Sequence, residues 1–154
     1  MNQYVKTLKA FMQKNKIQGE CLIFDESCHS VEEAAQALHG SPEDFVKSIC
    51  MVDENGSLVV AIVKGEDRAS TSRVAKALQR ERPCIASPEE VLEKTGYPVG
   101  GVPPFGFKAL FLIDPKVMEA DVVYGGGGSE NSLVKISPQE LQKANSGIIV
   151  RVRK

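Results

Sequence analysis

The sequence predicts an α+β fold, a single domain over residues 1–154 with a mixed, mostly antiparallel sheet and helices around it. Three observations predict it. Short apolar runs of strand length lie close together, as at 45–52 and 58–63. Asn55-Gly56, between those two runs, is a hairpin turn signal. Helix starts are scattered irregularly among the strands, unlike the strict alternation of a βαβ fold.

Element by element, Val5, Leu8, Phe11 and Met12 recur at helical spacing, so the chain opens on an amphipathic helix. Cys21-Leu22-Ile23-Phe24 reads as a short strand after Gly19. Ser30-Val31-Glu32-Glu33 is a capping box, and its helix runs through Ala34, Ala35 and Leu38 to stop at Gly40. The runs from Phe45 to Val52 and from Leu58 to Val63 form the hairpin. Ser70 to Leu78 reads as a helix. Ser87-Pro88-Glu89-Glu90 and Ser137-Pro138-Gln139-Glu140 each place a cap, a proline at the first helical position and an acid in the first turn. Lys108–Ile113, Asp121–Tyr124, Leu133–Ile136 and Ile148–Val152 read as further strands.

Composition sets broad bounds. At 42% hydrophobic and 25% charged the chain should fold around a core. A net charge of −1 argues against gripping a long nucleic acid, DNA included, by phosphate neutralisation, though not against a partner that inserts one end. Lys6, Lys9, Lys14 and Lys16, and separately Arg151, Arg153 and Lys154, read as solvated surface. Cys21, Cys28, Cys50 and Cys84 share no C-x-x-C spacing, and neither His29 nor His39 completes a zinc set with them. Neither a metal nor a cofactor is expected. Lys6 and Lys9 break any secretory leader, and no apolar run is long enough for a membrane span. A cytoplasmic protein with reduced thiols is the expectation.

Lys47 is the residue that breaks the pattern. Strand alternation puts it on one face with Phe45, Ile49 and Met51, where an ammonium loses water. Such a lysine is a candidate for chemistry; it can equally lie near a strand end and extend its head into solvent. Two glycine-rich segments fit neither helix nor strand. Gly96 to Gly106 holds four glycines and three prolines, as a rigid binding loop or a structural crossover would. Gly125 to Gly128 is no Walker loop and no dinucleotide fingerprint; it is a hairpin tip or an amide-lined concavity for an anion or a carbonyl oxygen.

Together these segments resemble the YbaK/Cys-tRNA(Pro) deacylase family, relatives of the editing domain inserted in bacterial prolyl-tRNA synthetases. The resemblance rests on Val31-Glu32-Glu33-Ala34-Ala35, Phe45-Val46-Lys47-Ser48, Thr95 through Gly106, Ile113-Asp114, Tyr124 through Gly128 and Ile136 through Leu141. It covers nearly the whole chain, and the order and spacing of the pieces carry it. It implies a barrel-like sheet. It also implies trans-editing hydrolysis of the ester on a mischarged tRNA, tRNA(Pro) with a small wrong amino acid first, with the acceptor end and prolyl-tRNA synthetase as partners. The family's lysine falls on Lys47 and its Gly-x-x-x-Pro loop on Gly100 and Pro104. Pro103 stands where relatives commonly have a small polar residue, and the glycine run stands where some have a histidine or an aspartate. These departures leave the amino acid open.

No Gly-x-Ser-x-Gly elbow is present, and an aminoacyl ester is reactive enough to need chiefly orientation and stabilisation of its oxygen. Lys47 is expected to touch a phosphate or the ribose, and the backbone of Gly100, Gly101, Gly126 or Gly127 to surround the carbonyl. Phe45, Ile49, Val63 and Phe105 are expected to line the pocket. Binding of an amino acid, an aminoacyl nucleotide or the synthetase without turnover is the alternative.

Overall fold

The computed structural model describes residues 2–154, and the local signals account for most of its elements in chain order. Asn2 caps α1 (Gln3–Lys14) by accepting the Tyr4 amide at 2.7 Å, and Val5, Leu8 and Met12 face inward. β1 (Gly19–Ile23) follows. Ser30 accepts the Glu33 amide at 3.1 Å and starts α2 (Val31–Leu38), which ends two residues before Gly40 because His39 takes the left-handed conformation. A 3₁₀ turn (Pro42–Asp44) leads into β2 (Val46–Val52), and the turn at Asn55-Gly56 returns the chain as β3 (Leu58–Lys64). Gly56 has a φ of +78°, which the tight turn demands.

Next come α3 (Thr71–Leu78), β4 (Cys84–Ile85) and α4 (Pro88–Thr95). The α4 start closes both halves of its box: Glu90 N donates to Ser87 Oγ at 3.2 Å, and Ser87 N to Glu90 Oε1 at 2.9 Å. β5 (Leu110–Ile113), α5 (Pro115–Met118), β6 (Val123–Gly126), β7 (Ser132–Ile136), α6 (Pro138–Asn145) and β8 (Ile148–Ile149) complete the chain.

The strands make two sheets. One has the order β4-β2-β3-β5-β8 and the other β1-β7-β6. The β1/β7, β2/β3, β2/β4 and β6/β7 pairs are antiparallel, while β3/β5 and β5/β8 are parallel. The mixed, mostly antiparallel expectation therefore holds. The barrel does not close: the sheets touch through an isolated bridge between Phe45 and Tyr124. The main core lies between them, around Leu8, Ile62, Phe105, Phe111, Val134 and Leu141. A second cluster, with Met51, Val59, Ala61 and Val63, packs against Val74 of α3.

Strands are shorter than expected at three places. Lys108 and Ala109 precede the ladder, and Asp121 and Val122 stay exposed outside β6. The run Ile148–Val152 leaves β5 after Val150, whose amide still donates to Ile113 O at 3.0 Å, because Asp114 captures the chain. Its Oδ1 accepts the amides of Val152 (3.0 Å) and Arg153 (3.1 Å), and its Oδ2 accepts the Lys116 amide (3.1 Å) and Arg153 Nη1 (2.7 Å).

Asp114 is fully buried. Burial alone raises its pKa, but the bonds from Val152, Lys116 and Arg153 outweigh burial and hold the carboxyl below the usual aspartate range. A depressed folded-state pKa stabilises the fold above the unfolded value of about 3.9. That stability is lost as pH falls through the lower folded-state value. Asp114→Asn leaves Arg153 without its anion and should cost about 3 kcal/mol in urea unfolding at neutral pH. The variant's stability should also fall less steeply on acidification than that of the wild type.

Candidate functional site

The sheets diverge along β2. At its start β2 lies beside β6, near Phe45. At its end it pairs with β4, and only at Met51 and Val52. Between these points one edge of β2 has no strand beside it. The Cys50 carbonyl accepts from Ala86 N (3.0 Å) on the β4 side, whereas the Phe45 carbonyl accepts from Gly65 N (2.7 Å) on the β3 side. Antiparallel alternation therefore turns the amide and carbonyl of Ser48 toward the uncovered edge.

A cavity of about 290 Å³ opens there. That is the lower end for small-ligand clefts, which span about 300–1,000 Å³. Val46, Ser48, Cys50 and Ile49 form its floor. Cys28, His29, Val31 and Ala34 come from the start of α2, Gly100 and Val102 from the proline-rich loop, and Gly125 and Gly126 from β6. Ile85 and Val99, 59% and 45% exposed, give the mouth an apolar rim.

Lys47 stands in this wall, half-buried, opposite Val63 in the β2/β3 register. Burial first, then the Arg68 charge, pushes its pKa below the ordinary lysine value, while Asp67 and Glu32 pull it part of the way back. Among the described residues Lys47 belongs to no ion pair.

The two glycine segments pack on each other, backbone to backbone. A Cβ on Gly101 would lie 2.8 Å from the Gly128 carbonyl, and Gly128 N donates to Gly101 O at 2.8 Å. A Cβ on Gly126 would overlap the Val102 carbonyl. Pro104 sits behind Gly125, with its own carbonyl held by Asn145 Nδ2 at 2.9 Å. This packing consumes amides: Gly101 N donates to Pro98 O (3.0 Å) and Gly127 N to Ser132 O (3.1 Å). The amides of Gly100 and Val102 make no backbone hydrogen bond among the described residues.

Of the residues expected at the site, Lys47, Gly100, Phe45, Ile49 and Gly126 come together in the cavity wall. Gly101, Pro104 and Gly127 stand behind it. Val63 and Phe105 were expected in the lining and are elsewhere. Val63 is sealed in the cluster under α3, and Phe105 is fully buried and stacked on Phe11 with ring centroids 5.8 Å apart.

His29, Cys28 and Ser48 escaped the sequence reading as site residues. The His29 ring covers Gly100, where any Cβ would overlap it, and its Nδ1 is 3.6 Å from Glu130 Oε2. Gly100 has a φ of +92°, which also favours glycine. The Ser30 cap fixes where α2 begins, but nothing in the linear pattern ties His29 to Gly100. Cys50, read as a small core residue, is buried and also floors the cavity; burial pushes its thiol up to about 11. Burial and the charges of Glu26 and Glu33 raise the Cys28 thiol as well. Among the described residues no group of three His, Cys, Asp or Glu side chains is placed to hold a metal, and no helix is long and apolar enough to cross a membrane.

This geometry has known relatives. The chain is 30% identical over 135 residues to the uncharacterized protein YwhH of Bacillus subtilis, covering 86% of this chain and 85% of that one. It is 30% identical over 128 residues to the multifunctional Ser/Thr-tRNA deacylase ProXp-y of Escherichia coli, covering 79% and 75%. A proline–tRNA ligase of Oleidesulfovibrio alaskensis is 29% identical over 111 residues, which is 71% of this chain but only 19% of the ligase. The crystal structure of the hypothetical protein APE2540 superposes with a TM-score of 0.89 at 29% identity, over 96% of this chain and 99% of that one. A candidate trans-editing enzyme for prolyl tRNA synthetase matches in fold, with a TM-score of 0.91 at 24% identity over 100% and 99%. The profile of the aminoacyl-tRNA editing domain matches residues 25–144, and the chain belongs to that family.

Proposed function

We propose that this protein is a trans-editing deacylase that hydrolyses the ester between a wrongly attached amino acid and the terminal adenosine of a tRNA. One observation carries the reading: a half-buried lysine with no ion-pair partner among the described residues stands in the wall of a small, mostly apolar cavity beside the Gly100 loop. Membership of the editing family and the likeness to ProXp-y support it.

In this reading the amides of Gly100 and Val102 donate to the ester carbonyl oxygen, where negative charge grows in the transition state. The Ser48 carbonyl, at the free edge of β2, accepts the α-ammonium. Lys47 holds the ribose or the terminal phosphate. A water oxygen bonds to the carbonyl carbon, the ester C–O bond breaks, and the leaving ribose oxygen takes a proton. Gly101, Gly127 and Pro104 act from behind the wall by fixing the loops, and Gly126 with Val102 sets the width of the cleft. Phe45, Ile49, Val31 and Ala34 suit a small, uncharged amino acid side chain. The proline–tRNA ligase relative makes mischarged tRNA(Pro) the first substrate to try, with prolyl-tRNA synthetase as the candidate partner.

A panel of mischarged tRNAs tests the function directly. Release of a small amino acid by the purified protein is expected. Stabilisation by an aminoacyl-nucleotide without release would replace the enzyme with a binding module. Lys47→Met should lower kcat/KM by roughly 100- to 1000-fold, the scale for removing one stabilising group. It also removes a partly desolvated cation, so its thermal midpoint should equal or exceed the wild type. Wild-type turnover in this variant would remove Lys47 from the site. Gly100→Ala displaces His29 and strains a left-handed backbone; a loss of about 100-fold in kcat/KM is expected from misplacement of the loop.

A further inference from the structure

A second hollow, of about 370 Å³, adjoins the first. Ile85 belongs to both walls. Thr71, Ser72, Arg82 and Lys154 line the second hollow, and among the described residues no acidic side chain does. No carboxylate lines the first cavity either. In a chain with 20 acidic and 19 basic residues, two adjoining hollows lined by Lys47, Arg82 and Lys154 and by no acidic side chain mark a surface suited to anions.

The cations are available. Arg82 Nε donates to Thr71 Oγ1 at 2.6 Å, which holds the guanidinium over the hollow. Neither Arg82, Arg68 nor Lys154 has a salt-bridge partner among the described residues. Arg68 is tied to the hollow by its carbonyl, which accepts from Lys154 N at 2.9 Å, and its charge is felt at Lys47. Two of the nearby acids are occupied: Asp67 and Glu66 lie 3.2 and 3.8 Å from Lys116 Nζ, while Glu32 acts on Lys47 from beyond ion-pair distance. Positive charge thus stands at both hollows: Lys47 in the first, where the Arg68 charge is also felt, and Arg82 and Lys154 in the second. The exposed side chains of Ile85 and Val99 offer apolar surface to a base at the junction of the two hollows.

We propose that this second hollow takes the single-stranded sugar–phosphate backbone of the tRNA 3′ end, with Arg82 and Lys154 meeting the phosphates that precede the terminal adenosine. The inference rests on the deacylase reading for what enters the first cavity. It adds the direction of the strand: the chain leaves past Ile85 and over α3. It also explains how a protein of net charge −1 holds a polyanion, because only a few phosphates need be met.

The test uses the full chain with Arg82→Gln and Lys154→Gln, singly and together, each checked for an unchanged thermal midpoint. Two substrates are compared, a mischarged tRNA and the same amino acid esterified to adenosine alone. The double variant should raise KM for the tRNA about tenfold, leave kcat alone, and hydrolyse the adenosine ester at the wild-type rate. For a single strand the dependence of log KM on log salt should weaken by about 0.7 for each phosphate that is no longer neutralised. Unchanged KM for the tRNA, or equal losses on both esters, would overturn the inference. Binding of a labelled RNA hairpin ending in single-stranded CCA gives a second readout that needs no turnover. If the wild type hydrolyses neither ester, the deacylase reading fails, while weaker hairpin binding by the double variant still supports the channel and equal binding refutes it.

Discussion

The uncovered stretch of β2 is the constraint on which the rest of the molecule turns. Strands twist, so two sheets that meet at one point separate away from it. Here they meet at Phe45 and Tyr124 and have parted before β4 reaches Met51. A bare strand edge invites pairing with another chain. In this fold the edge sits at the bottom of a cleft, screened by α2, the His29 loop and the two glycine segments. The gap left by imperfect closure is therefore both a cavity and a row of oriented backbone groups.

Keeping that gap in shape takes rigid walls. The glycine segments supply them by packing without side chains between them, which spends the amides of Gly101 and Gly127 on the fold and leaves those of Gly100 and Val102 without backbone partners. The division of labour is physical. Residues one layer back from the cleft satisfy each other, and residues facing it are left with unmet hydrogen-bonding capacity. Lys47 follows the same logic in charge rather than in hydrogen bonds, since its burial disfavours the ammonium and no counterion among the described residues lies within ion-pair distance.

How far the sequence could be read depended on the range of each interaction. Ser30, Ser87 and Ser137 cap helices through amides three residues away, and those starts were legible. The Asn55-Gly56 hairpin is equally local. Lys47 was legible because a charge stood out in a period-two apolar run, and the proline-rich loop because its composition suits neither helix nor strand. β4 has two exposed residues and no pattern, and α5 is a single turn with no periodicity, so neither was found. Ile148–Val152 looked like a full strand because Asp114, 38 residues earlier, was not visible as its competitor for the Val152 amide. Val63 and Phe105 have the right chemistry for a pocket wall, but only the sheet order shows that they face other layers. Failure of the sheets to close is likewise a property of how strands assemble, which resemblance could suggest only loosely.

Asp114 also bears on how the chain is made. Ribosomes release a protein from its N-terminus, so this carboxylate emerges well ahead of the amides of Val152 and Arg153 that will neutralise it. Until they arrive, it keeps its hydration, and the end of β5 cannot be sealed beneath the last strand. The closing step at this seam is then electrostatic: the segment carrying Val152 and Arg153 docks onto an anion that has been waiting in water, and the end of β5 stays open until that segment has emerged.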